Sequence, residues 1–152
     1  MELTLSVPFS YEPNDEIRRL PEDFRDMVNF CIEKASKHNV TGFAKLRKLV
    51  YGEWKSRWDY STHHCHSACR AATSMPKSWR RLKRKGIAKS DKPIARKLLI
   101  QLDSLLVKYE GDRPRISVKP RKLLYIQLRY GDHQRRFMEE WKVNYPTTAV
   151  RT

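Results

Sequence analysis

LLIQLDSLLVKYEGDRPRISVKPRKLLYIQL, residues Leu98 to Leu128, is where the grammar of this 152-residue chain changes from helical to extended. Leu98–Leu102 and Leu105–Tyr109 read as strands, and Glu110-Gly111-Asp112-Arg113-Pro114 between the following runs reads as a tight turn. Ile116 and Val118 continue the pattern. Leu124, Ile126 and Leu128 then alternate with Tyr125, Gln127 and Arg129, the period of a strand buried on one face. Gly131-Asp132 marks another turn, and His133–Lys142 has the spacing of a short helix with Phe137 and Trp141 inward. From Asn144 onward no period is visible, which predicts a flexible tail over 144–152.

Upstream lies PKSWRRLKRKGIAKSDKPIARK, Pro76 to Lys97, with ten Lys or Arg against the single acid Asp91. These 22 residues hold +9 of a formal net charge of +15. A charge excess of this density at a junction favours a polyanion as partner, and nucleic acid is the general case. The cations from Trp79 to Lys85 fall nearly all round a helix axis, whereas a membrane-surface helix sets its cations opposite an apolar stripe.

Before that run the spacing is helical. Pro21 is expected to open a first helix, with Glu22 and Asp23 at its positive end and Phe24, Met27, Val28, Cys31, Ile32 and Ala35 on one apolar face. Thr41 suits the N-cap of a second helix whose inner face is Phe43, Leu46, Leu49, Val50 and Trp54. Ser61 suits the cap of a third, running through Ala68, Ala71 and Ala72. Pro76 should stop or kink it, because proline lacks the amide donor and crowds the preceding turn. At the N-terminus Leu3, Leu5, Val7 and Phe9 alternate with smaller residues as a strand, followed by a connector at Tyr11–Asn14. A lone first strand needs partners, and the available ones come after the helices. The expected fold is therefore α+β: a small β-barrel or curled sheet from residues 1–12 and 93–143, with a three-helix bundle, residues 13–92, inserted after the first strand.

Composition narrows the class. Hydrophobic residues at 39% and charged residues at 32% suit a folded domain, and no apolar run approaches the roughly 18 residues of a membrane span. No basic segment followed by an apolar one opens the chain as a signal peptide does. Three cysteines without framework spacing suit a reducing compartment, so a cytoplasmic location is expected.

Two groupings bear on chemistry. His63, His64, Cys65, His66 and Cys69 resemble metal ligands, but a structural zinc site wants four ligands, commonly in two short pairs, and here there is one cluster. The expectation is an alanine-rich helix with buried cysteines, and neither metal nor cofactor. Carboxylates give no set suited to metal-dependent cleavage, and phosphate loops, nucleophile elbows and HExxH are missing, so no catalysis is expected. Aromatic and basic residues interleave instead. Tyr51, Trp54, Trp58, Tyr60 and Trp79 lie among Lys48, Lys55, Arg57, Arg70, Lys77, Arg80 and Arg81. Cations hold phosphates and exposed rings stack on unpaired bases. Lys77, Arg80, Arg81, Lys83, Arg84, Lys85 and Lys89 are the expected backbone contacts, with Trp54 a core residue and Trp58 and Trp79 open to either role.

Three phrases carry a family resemblance: LTLSVPFS at the start, SRWDYSTHHCHSACRAATSMPKSWRRLKRKG, and KPIARKLLIQLDSLLVKYEGDRPRISVKPRKLLYIQLRYGDHQRRFMEEWK. In order and spacing they resemble the N-terminal part of the TnpB family, insertion-sequence proteins related to type V CRISPR effectors, in its archaeal form. The resemblance implies an OB-like wedge built from the strands and a recognition lobe built from the helices. It implies binding of guide RNA, target DNA or their hybrid, with Thr41 to Lys45, Tyr60 and His64 facing the short motif beside the target. Family members continue into a RuvC-like nuclease with three acids and an inserted zinc ribbon, where this chain stops. The reading is thus a non-cleaving module for RNA or double-stranded DNA. The alternative is a stand-alone sequence-specific DNA-binding regulator derived from a transposon protein.

Overall fold

The computed structural model describes residues 7–103, 105–110, 113–140 and 148–151. In chain order the elements are β1 (Ser10–Tyr11), α1 (Asp15–Lys37), α2 (Phe43–Arg57), α3 (Thr62–Arg84), β2 (Leu99–Leu102), β3 (Val107–Glu110), β4 (Arg113–Lys119), β5 (Lys122–Tyr125), β6 (Leu128–Arg129), α4 (Asp132–Glu140) and β7 (Thr148–Arg151). The class is mixed helix and sheet, with the helices and strands in the expected order.

The first helix starts earlier than Pro21 suggests. Asn14 caps it, its side-chain oxygen accepting from the Ile17 amide at 2.8 Å, and Pro21 sits inside the helix. An interior proline costs about 3 kcal/mol, but burying one large apolar side chain returns about 1.5–3 kcal/mol. Ile17, Leu20 and Phe24 are all buried around Pro21, so packing outweighs the lost backbone bond. The helix ends at Lys37 with His38 as its cap, and Asn39 just beyond takes a positive φ of 52° while the Val40 amide bonds back to the Ala35 carbonyl at 2.9 Å. Gly42, not Thr41, is the cap residue of α2. Pro76 also lies inside its helix: α3 runs unbroken from Thr62 to Arg84.

Antiparallel pairing links the ends of the chain. Ser10 and Tyr11 of β1 pair with Arg129 and Leu128 of β6, which gives the N-terminal strand its partner beyond the helices. Leu3 and Leu5, expected in that strand, lie outside the described residues, and so does Trp141. Strands β3, β4 and β5 form a meander in which Pro114, Ile116 and Val118 alternate inward. The tail expected to be flexible instead supplies β7, paired with β2 from Leu99↔Arg151 to Leu102↔Thr148. The described strands form three separate small sheets and no closed barrel.

One core joins what the sequence divides into two bodies. Ile17, Leu20, Met27 and Cys31 of α1, Leu46, Val50 and Trp54 of α2, and Cys65, Ala68, Cys69 and Ala72 of α3 share it with Ile100, Leu102, Leu106, Val107 and Ile116. The small residues on α3 let the helices approach closely. Hydrogen bonds cross the same boundary: the Ser61 amide donates to the Val118 carbonyl at 2.9 Å, and Lys119 meets Asp59 at 3.0 Å. Among the described residues no helix is long and apolar enough to cross a membrane.

Candidate nucleic-acid interface

Helix α3 changes character along its length. Its buried residues are His64, Cys65, Ala68, Cys69 and Ala72, and beyond Ala72 none is buried. The remaining turns carry Lys77, Arg80, Arg81, Lys83 and Arg84, all exposed. At 100° per residue, Arg70, Lys77, Arg81 and Arg84 fall on one side of the axis, opposite the buried face. The helix ends in a Schellman cap. Gly86 takes φ +70°, its amide donates to the Lys83 carbonyl at 3.0 Å, and the Ile87 amide donates to Leu82 at 3.0 Å. Lys85 sits at the cap and Lys89 just beyond it, both exposed.

The segment after the cap folds back along α3 and α1. Trp79 Nε1 donates to Ser90 Oγ at 3.2 Å, and Lys83 Nζ donates to the Ser90 carbonyl at 3.2 Å. The Lys83 ammonium also lies 5.9 Å from the centre of the Trp79 ring. Further on, Asn29 of α1 grips Ala95 from both sides: its Nδ2 donates to the Ala95 carbonyl at 3.0 Å and its Oδ1 accepts from the Ala95 amide at 2.7 Å. These fastenings leave a cleft of about 970 Å³ between α1, α3 and the segment. Trp58 and Trp79, both half-buried, line it with Thr41, Arg57, Lys77 and Arg80. Trp54 is fully in the core, as expected.

The cations of α2 form a second exposed group. Lys45, Lys48 and Lys55 lie away from the core face, and the Lys55 ammonium sits 5.8 Å from the Tyr51 ring. Arg57 is held in place, bonding Glu53 at 2.8 Å and lying 4.7 Å above the Phe30 ring. Glu53 also pairs with Lys34, and that partner holds its carboxyl below the usual range. Arg70 packs 5.5 Å from the Phe43 ring. The basic residues expected to contact a backbone are thus at the surface.

Tyr60 and His64 are placed differently from the reading that set them on one helix face toward a groove. Tyr60 precedes α3, and its hydroxyl donates to Asp23 at 2.5 Å. Burial first, and then the Asp23 carboxylate, push its pKa up. His64 is 1% exposed, with Nε2 2.9 Å from the Ser117 carbonyl. A carbonyl only accepts, so Nε2 carries the proton. Burial lowers the His64 pKa, opposed in part by that bond. The two rings meet edge to face at 5.2 Å, Tyr60 bonding to α1 and His64 to β4. Helical spacing correctly brings them together, but spacing alone does not say which side of the helix is the core.

The cysteines are core residues. Cys31, Cys65 and Cys69 are free and fully buried, with Cys31 and Cys69 sulfurs 3.9 Å apart. Hydrogen bonding with Cys31 is the main reason the Cys69 thiol is pushed up to about 12, and Cys69 together with burial raises Cys65 further. Among the described residues no three His, Cys, Asp or Glu side chains converge as a metal site.

Fold and surface together define a small α+β protein whose third helix is half core and half exposed cationic rod. By comparison with known proteins, residues 20–117 match the model of the Uncharacterized protein MJ0013 family, and the chain belongs to that family. Among its relatives in Methanocaldococcus jannaschii, uncharacterized protein MJ0752 is 49% identical over 77 residues, covering 49% of this chain and 99% of that protein. TnpB-like protein MJ1635 is 31% identical over 134 residues, 80% of this chain but 32% of that protein. TnpB-like protein MJ0751 is 47% identical over 38 residues, 25% of this chain and 14% of that protein. The chain therefore spans about a third or less of the two TnpB-like relatives. No solved structure matches it.

Proposed function

We propose that this chain is a nucleic-acid-binding module of a TnpB-like insertion-sequence protein, holding guide RNA, target DNA or their hybrid without cleaving it. The observation that carries the reading is the exposed half of α3, where five cations follow Ala72 with no acid among them. A polyanion neutralises such a rod, and a duplex or hybrid presents regularly spaced phosphates to it. The relatives named TnpB-like support the choice of class. In this reading the three small sheets are the wedge-like part, the helices are the recognition part, and the protein works in the cytoplasm.

Replacing Lys83, Arg84 and Lys85 with alanine tests it. The variant should lose affinity by similar factors for unrelated sequences, and the slope of log affinity against log salt should flatten by about 2–3, or 0.7–0.9 per lost phosphate contact. Global thermal unfolding should change little, because these side chains are exposed and lie beyond the buried half of α3, the lost Lys83–Ser90 bond loosening only the local segment. Unchanged affinity for RNA, DNA duplex and hybrid would remove the assignment.

A further inference from the structure

The geometry points to the cleft between α1 and α3 as a seat for unpaired nucleotides of a single-stranded nucleic acid. This deepens the function proposed above and rests on it. Its volume, about 970 Å³, falls within the range of clefts that enclose small molecules, so it admits nucleotide units and not a duplex. Two tryptophans, Trp58 at the C-terminal cap of α2 and Trp79 in α3, open onto it, each half-buried. Trp58 is steadied by Phe30, edge to face at 5.4 Å, and Trp79 by its bond to Ser90. Rings steadied this way lose little further rotamer freedom when a base stacks on them.

Charge completes the site. Arg57, Lys77 and Arg80 line the cleft, and along its whole lining cations outnumber acids five to three. Trp79 and Arg80 also border a smaller hollow of about 330 Å³ with Lys83 and Arg84. The cleft therefore opens directly onto the cationic half of α3. A strand tracking its phosphates along that helix passes the mouth of the cleft, where an unstacked base turns inward. An acidic peptide would satisfy the cations but offers no planar ring to stack on the tryptophans, and a duplex cannot turn a base in without unpairing it.

The test uses the intact chain with three probes of equal length: an oligouridine carrying 4-thiouridine, the matching thymidine strand carrying 4-thiothymidine, and a paired duplex. Irradiation followed by peptide mass spectrometry should place single-strand adducts on Trp58 or Trp79. Trp79→Ala should weaken single-strand binding about tenfold or more and duplex binding far less, and Trp79→Phe should recover most of the single-strand loss. A preference for the uridine or the thymidine probe tells whether the strand is RNA or DNA, and either supports the seat. Adducts confined to Arg81, Arg84 and Lys85 overturn it. So does equal loss of duplex and single-strand binding in Trp79→Ala, or a phenylalanine variant no better than alanine. In those cases loss of binding in the Lys83, Arg84 and Lys85 variant keeps the broader function alive. If the unaltered chain binds none of the probes, the seat falls, and binding of an RNA–DNA hybrid of the same length then decides the broader function.

Discussion

The two halves of α3 follow opposite rules within one unbroken helix. From Thr62 to Ala72 the buried positions are His64, which faces β4, and Cys65, Ala68, Cys69 and Ala72, whose small side chains let the helices pack closely. From Thr73 to Arg84 nothing is buried, and cations take most of the exposed positions. The first half is held by tertiary packing. The second is held mainly by continuity with the first, by its Schellman cap, and by the Trp79 and Lys83 bonds to Ser90. A like-charged rod of this kind repels itself, so its free energy falls when an anion binds. Placing it on the extension of a core helix keeps the cations ordered without asking the core to accommodate them.

Substitutions of the same size should separate the halves. Ala68→Leu adds volume at a position with no exposure and should cost about 3 kcal/mol in urea unfolding, the upper end for overpacking. Arg81→Leu should change stability by about 0.5 kcal/mol or less, since it is exposed. Equal effects would erase the distinction. Pro76 stands between the halves, and Pro76→Ala restores an amide for the Ala72 carbonyl. The gain should be about 2 kcal/mol: about 3 from repairing an interior proline, less about 1 for a freer unfolded chain. No gain would mean that Pro76 already sits at a relaxed bend.

Acid should strike the buried half. His64 is held neutral, its pKa below the ordinary 6.5, while in the unfolded chain it takes up a proton near that value. The unfolded state therefore binds more protons as pH falls below 6.5, so stability is full above that pH and declines beneath it. The slope from this one group is about 1.4 kcal/mol per pH unit at most. His66, also lowered by burial, acts in the same sense. Urea midpoints from pH 7.5 to 5 should fall, and His64→Gln should flatten the curve. A pH-independent midpoint in the unaltered chain would contradict the burial of His64.

The smallest effect belongs to the cap of the exposed half. A Cβ at Gly86 meets nothing within 4 Å, so Gly86→Ala pays only for the positive φ, about 1 kcal/mol. Because no residue of α3 beyond Ala72 is buried, the loss should appear as faster amide exchange over 82–88 with little change in global unfolding.

Much of the helical part was legible. The apolar face of α1 matched its sequence period, and so did Leu46, Val50 and Trp54 of α2, because burial follows from a side chain's angle on the helix; Leu49, expected on that inner face, is exposed. Both interior prolines were misread, since proline's local cost is fixed while the burial around Pro21 that offsets it depends on the whole fold. Strand β7 was missed because four residues carry no readable period, and its pairing with β2 comes from the opposite side of α4 in sequence. In the candidate site, the cations were legible because long charged side chains stay in water wherever the helix goes. Tyr60 and His64 were not, because their neighbours Asp23 and Ser117 are distant in the chain.

The sequence by itself determined the mixed class, the order of helices and strands, the need of the first strand for a late partner, and the cationic run after Ala72. All of these depend on local spacing, composition and charge. Only the tertiary structure decided that three small sheets form instead of a barrel, that one core spans both parts of the chain, and that Trp54 is buried while Trp58 and Trp79 border a cleft. Those outcomes depend on which distant surfaces exclude water together, and no single segment contains that information.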